Sequence, residues 1–140
     1  MRLVLDTNTA LSGLLWGGTP GRLIDAADAR TIALFTSAAL LAELHGVLSR
    51  PKFARQLTQR ALTVDVLLQG YAALAAMVQP AAIAPTILRD PADDAVLAAA
   101  LGAQADAIVS GDAHLLDLKH FHGIGIMTAS EALMQIRTPT

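Results

Sequence analysis

Carboxylates are the side chains of this chain best placed to do chemistry. Asp6 closes the run Leu3-Val4-Leu5, and Asp112 follows Ala107-Ile108-Val109-Ser110-Gly111. Glu43 lies in the apolar stretch after Ser37, and the pair Asp93-Asp94 opens an alanine-rich run. The chain has no cysteine, which removes disulfides, thiolate zinc sites and a thiol nucleophile together. Carboxylates gathered at one place repel, and keeping several of them ionised near neutral pH requires cations between them. Mg2+ and Mn2+ prefer carboxylate and water oxygens, so no histidine need be a ligand. A cation held in this way activates water and neutralises a phosphoryl oxygen, and the reaction that fits is phosphodiester hydrolysis. Each acid also has a plainer use. Asp6 could cap a helix, Glu43 could be a solvated helix residue, and Asp112 could make a turn. Asp93 and Asp94 could complement a helix dipole, an effect of about 0.3–1 kcal/mol each. Only the set carries the metal reading.

For the set to meet, the elements must bring distant segments to one rim. Leu3 to Leu5 reads as a buried first strand, and Thr7-Asn8-Thr9 offers caps to a helix through Leu11, Leu14 and Leu15. Gly17-Gly18-Thr19-Pro20-Gly21 breaks it, and a second helix carries Leu23, Ile24, Ala26 and Ala27. Thr31 to Phe35 is the second strand, followed by a helix from about Ala38 to Ser49 that Arg50-Pro51 ends or re-aims. Lys52 to Val78 reads as helical in two pieces, the second from about Val64 to Val78. Ile83 with Ile87-Leu88 forms a possible short strand in an irregular connection framed by Pro80 and Pro85. A helix over Ala95 to Ala103, a strand over Asp106 to Ser110, a short helix over His114 to Leu118, a strand over Gly125 to Met127 and a last helix through Ile136 complete the reading. Strands alternating with helices imply right-handed crossovers and a parallel sheet covered by helices. In such sheets ligands sit outside the carboxyl ends of the strands. Asp6 and Asp112 fall at that edge, Glu43 lies near the start of the helix after the second strand, and Asp93-Asp94 reaches the edge if its preceding loop does.

Composition agrees with one folded domain over residues 1–140. The hydrophobic fraction is 54%, much of it Ala and Leu, with only 4% aromatic, which favours close-packed helices over an all-β sandwich. A net charge of −2 does not announce a nucleic-acid binder, although bound cations would restore positive potential at an acidic site. Asp6 arrives too early for a signal-peptide apolar region, and no stretch approaches the roughly 18 apolar residues of a membrane span. A soluble, cytoplasmic protein is expected, with no membrane partner.

Asp6-Thr7-Asn8 after the first strand, Glu43, Asp94-Ala95-Val96-Leu97-Ala98-Ala99-Ala100 and Val109-Ser110-Gly111-Asp112 together resemble the PIN domain family. Leu48-Ser49-Arg50-Pro51-Lys52 and Arg89-Asp90-Pro91 resemble its subgroup of toxin components of type II toxin–antitoxin systems, the VapC-like ribonucleases. The likeness runs from residue 3 to about residue 131. It implies a three-layer, Rossmann-like α/β fold with a central parallel sheet of four to five strands in the order 3-2-1-4-5, flanked by helices. It also implies a Mg2+- or Mn2+-dependent endoribonuclease. On this resemblance Asp6, Glu43, Asp94 and Asp112 match an acidic quartet that holds metal. Asp93 is a second candidate ligand beside the preferred Asp94. Asn8 and Ser110 match polar positions that orient the first and last acids. The expected partners are an RNA substrate and a cognate antitoxin that places a basic side chain among the acids. The apolar helices, Val64 to Val78 among them, suggest a homodimer.

Other residues have two readings. Arg50, Lys52, Arg55 and Arg60 could contact RNA phosphates or form a solvated helical face. Lys119, His120 and His122 read better as surface loop residues than as a metal or phosphate site. His45 reads as helix surface, and His114 lies close to Asp112 in sequence. Trp16 could stack on a base, but a single Trp at an apolar helix end reads better as core or interface packing. A receiver-like signalling domain would want a lysine after a late strand, and neither Lys52 nor Lys119 fits. A phosphatase forming an aspartyl phosphate would want Asp at position 8, which is Asn. The remaining alternative is a catalytically silent PIN-fold module that binds RNA or protein.

Overall fold

Leu3, Val4 and Leu5 are all buried, as expected of a strand covered on both faces. They form β1 (Arg2–Leu5), the centre of the fold. In this computed structural model, which describes residues 1–83 and 91–137, the chain continues through α1 (Thr7–Trp16), α2 (Gly18–Asp28), β2 (Ala33–Thr36), α3 (Ala38–Leu48), α4 (Pro51–Gln59), α5 (Val64–Leu74) and β3 (Ala75–Met77). It then runs through α6 (Pro91–Gly102), β4 (Ala107–Val109), α7 (Ala113–Leu118), β5 (His120–Phe121), β6 (Ile124–Met127) and α8 (Ala129–Arg137). The sheet order is β3-β2-β1-β4-β6-β5, parallel except for the last pair.

The chain builds outward from β1 to β3 and then returns to lay β4 on the other side of β1, so strand order reverses between β1 and β4. That reversal opens the crevice in which ligands bind in this class of sheet. Alternation along β1 sends Leu3 and Leu5 to one face and Val4 to the other. Leu3 and Leu5 pack with α1, α2, α4 and α5 through Leu11, Leu15, Leu23, Phe53, Leu57 and Tyr71. Val4 and Ile108 pack with α6 and α7 through Val96, Leu97, Ala100 and Leu115. Leu97 and Leu115 are completely buried, and each burial stabilises the fold by roughly 1.5–3 kcal/mol.

The expected strand order 3-2-1-4 is present, but the sheet has six strands rather than four or five. The third strand is Ala75–Met77, inside the stretch expected to be helical to Val78. Ala75 and Ala76 pair with Leu34 and Phe35, and this pairing overrides the helix preference of alanine. Ile83 is irregular, while Ile87-Leu88, Pro85 and Arg89-Asp90 lie outside the described residues. The extra strand arises where a loop was expected. His120 and Phe121 pair back on Gly125 and Ile124 across a tight turn in which His122 and Gly123 both have positive φ, 50° and 80°, the backbone that two-residue hairpins need. Trp16 is not core: it is 51% exposed and meets Phe53 edge-on at 5.8 Å. Among the described residues no helix is long and apolar enough to cross a membrane.

Candidate active site

The first and last acids are fixed by backbone and hydroxyl contacts that begin in the sheet. The Asp6 N–H donates to the Val109 carbonyl at 3.0 Å, which ties the end of β1 to the end of β4. Asp6 caps α1: its Oδ1 accepts the Thr9 N–H at 2.8 Å, as N-cap carboxylates do. Its Oδ2 accepts from the Ser110 hydroxyl. Ser110 is itself buried, and its oxygen also accepts the Asp112 N–H at 2.9 Å. Asp112 in turn caps α7, accepting the His114 N–H at 2.7 Å. One hydroxyl thus links the first and last acids, and both carboxylates are oriented before any ligand arrives.

Glu43 comes from α3, capped by Ser37 at the end of β2, and is half-buried. Asp93 comes from the first turn of α6 and is buried. Asp6, Asn8, Glu43, Asp93 and Asp112 line one cavity of about 40 Å3, together with Thr7 and Val96. Four acids from four separated segments therefore line one cavity at the reversal of strand order. The preference for Asp94 needs correcting, since Asp93 and not Asp94 lines this cavity. Neighbouring helix positions differ by about 100°, and Asp93 shares the inward face of α6 with Val96, Leu97 and Ala100, which are buried three, four and seven residues later.

Two further residues belong to this neighbourhood: Thr7, from the Asp6-Thr7-Asn8 run, and Tyr71, which carries no motif signal in the sequence. Thr7 lines the cavity, and its hydroxyl is buried without a hydrogen-bond partner among the described residues. Tyr71 of α5 is buried, and its phenol is held protonated well above the usual tyrosine range, first by burial and then by the negative charge of Asp6. A buried polar residue in the apolar stripe of α5 was the available clue. The other candidates lie elsewhere. Arg50, Lys52, Arg55 and Arg60 are exposed at and along α4, with the Lys52 ammonium 5.1 Å from the Phe53 ring centre. His120 and His122 sit in the β5–β6 hairpin, and His45 is at the surface, 4.0 Å from Asp65. His114 meets the site through its backbone N–H.

The donor set fits a hard divalent cation. It offers oxygen donors, four carboxyl groups and one amide, and adds the buried Thr7 hydroxyl, which has no hydrogen-bond partner among the described residues. Among the described residues no three acids stand ready-made as a metal cluster.

A parallel sheet whose strand-order reversal is rimmed by acids defines the nuclease-type α/β class. The PIN domain family matches residues 2–114, and the chain belongs to that family. PIN domains are generally nucleases and typically bind divalent metals. Comparison with curated proteins gives no match.

Proposed function

We propose that this chain is a divalent-metal-dependent endoribonuclease, the toxin of a toxin–antitoxin pair. One observation carries the reading: Asp6, Glu43, Asp93 and Asp112 line a single small cavity where the sheet reverses its order. Asp6, Asp93 and Asp112 would hold Mg2+ or Mn2+, with Asn8 beside them. When bound, the cation offsets negative charge on the phosphodiester and polarises its oxygen. The protein does the rest by positioning. Ser110 holds Asp6 by donating to it and fixes the turn to Asp112 by accepting its N–H. Glu43 orients the attacking water and takes its proton. Exposed Arg50, Lys52 and Arg55 would attract RNA phosphates in a salt-dependent way.

The antitoxin proposal follows from the same charge. A small partner that inserts a basic side chain among the acids would neutralise them and block the cation. A homodimer is proposed from exposed apolar side chains such as Val66 on α5, and light scattering at high concentration checks it. The central test is cleavage of single-stranded RNA by purified protein. Mg2+ or Mn2+ should support it, a chelator should stop it, and Asp6→Asn should abolish it. Cleavage without metal, or a fully active Asp6→Asn protein, overturns the reading.

A further inference from the structure

The acid cavity, at about 40 Å3, is far smaller than the roughly 300–1,000 Å3 of pockets that enclose small molecules. An ion and its waters fit there, but the nucleotides on either side of a scissile phosphate do not. Beside it lies a groove of about 490 Å3 that shares Asn8 and Asp112 with the cavity. Its walls come from α1, the start of α2, the turn after β4 and the start of α8. Asn8 and Ser12 stand one turn apart on α1 and so share a face. Thr19 faces the groove from α2 and Ser130 from α8. The side chains of Asn8, Ser12, Thr19 and Ser130 make no hydrogen bond among the described residues. Among the described residues no Lys, Arg or His lines the groove, and Asp112 is the one ionisable group in its lining.

A lining rich in hydroxyls and without basic side chains among the described residues suits a sugar better than a charge-driven grip on phosphate. Hydroxyl side chains both donate and accept, and so does the ribose 2′-hydroxyl, the group that distinguishes RNA from DNA at a given position. A deoxyribose in the same place would leave those partners unmatched. We infer that the groove seats the ribose of a nucleotide next to the bond that is cut, and that Ser12, Thr19 and Ser130 read its 2′-hydroxyl. The inference rests on the ribonuclease reading and names the feature of the substrate that this site selects. It also separates two kinds of contact. Phosphate attraction by the basic residues of α4 weakens with salt, whereas the preference for ribose does not.

The test uses the full chain with Mn2+ and two fluorescent single-stranded oligonucleotides of one sequence, all-ribose and all-deoxyribose. Binding is read by anisotropy with an Asp6→Asn protein, which holds the strands without cutting, and cleavage is read with the unaltered protein. The ribose strand should bind at least about tenfold more tightly, with a ratio that is unchanged between low and moderate salt. The triple change Ser12→Ala, Thr19→Val and Ser130→Ala should bring the ratio close to one while deoxyribose binding stays the same. A thermal-unfolding shift on adding Mn2+ to the triple variant shows that the fold and the acid cavity persist. Equal binding of the two strands, or a triple variant that keeps the ratio, overturns the groove. Ribose-selective binding with no cleavage by the unaltered protein sinks the ribonuclease reading and leaves the groove's preference standing.

Discussion

The two ends of the sheet differ in a way that volume alone would misjudge. The larger hollow, about 640 Å3, lies at the amino end among Arg2, Asp28, Arg30 and Thr31. Its charges are mixed, and Arg2 is committed to structure. The Arg2 guanidinium donates to the Ala103 carbonyl just past α6 at 2.6 and 3.2 Å, and it lies 4.3 Å from the centre of the Phe35 ring. The Arg2 N–H donates to Asp106 at 2.7 Å. At the carboxyl end the acid cavity is many times smaller, yet four acids line it. Strand ends converge there, so side chains far apart in sequence meet. The amino end holds the molecule together, and the carboxyl end gathers acids from four separate segments.

Substitutions at the two ends should therefore differ in kind. Asp6→Asn keeps a good helix cap but removes the charge, and RNA cleavage should fall at least about a thousandfold, ~4 kcal/mol in the barrier, with little loss in urea-unfolding stability. Asp93→Asn and Asp94→Asn, compared in one assay, sharpen the contrast within α6: the first should cost about a hundredfold or more in activity and the second less than about threefold. Equal losses would show that the helix phase is misread. Ser110→Ala frees the Asp6 carboxylate and loosens the backbone turn to Asp112, and it should weaken Mn2+ binding about 10–100-fold by titration, the usual cost of losing such support. Arg2→Ala should do the reverse, lowering unfolding stability by about 1–2 kcal/mol while Mn2+ affinity and cleavage per folded molecule are unchanged.

The smallest expected effect concerns acid. Glu131 accepts the Thr128 N–H at 3.1 Å and the Thr128 hydroxyl at 3.0 Å, and these bonds hold its carboxyl below the ordinary glutamate range. A carboxyl whose folded value is depressed adds stability above the unfolded value and loses it as pH falls through the folded one. The protection factors of amides in the first turn of α8, corrected for the intrinsic pH dependence of exchange, should therefore fall as pH drops through and below the ordinary glutamate range, with the core strands unaffected.

Most of this arrangement is legible in the residues because helices and strands here carry distinct periods. Leu3 to Leu5, Thr31 to Phe35 and Ala107 to Val109 are short apolar runs that end in polar caps, and all three contain sheet strands. Local chemistry placed the start of α3, where Ser37 caps the first turn. Helix α1 instead takes Asp6 as its cap, with Thr7-Asn8-Thr9 already inside the helix, and Asp112, read as a possible turn residue, caps α7. What failed to show was decided elsewhere in the molecule. Ala75 and Ala76 are helix formers that become a strand because β2 presents a free edge. Asp93 could not be told from Asp94 because Ala95, Ala98, Ala99 and Ala100 blur the phase of α6. Only the burial of Val96 and Leu97 resolves it. The groove left no motif, because scattered hydroxyls look like ordinary caps and surface positions until three helix ends surround them.

Gly102 closes α6 where the chain leaving β3 passes against it, and a β-carbon there would stand 2.1 Å from the Gln79 carbonyl oxygen. Asp93 lies nine residues away on the same rod, about 14 Å along its axis at 1.5 Å per residue. A methyl group at the far end must push backbone, since backbone is what it meets, and a stiff rod pushed at one end swings at the other. Gly102→Ala should therefore disturb the seat of α6 on the chain after β3, and a fall in Mn2+ affinity by titration would show that the shift reaches the Asp93 end.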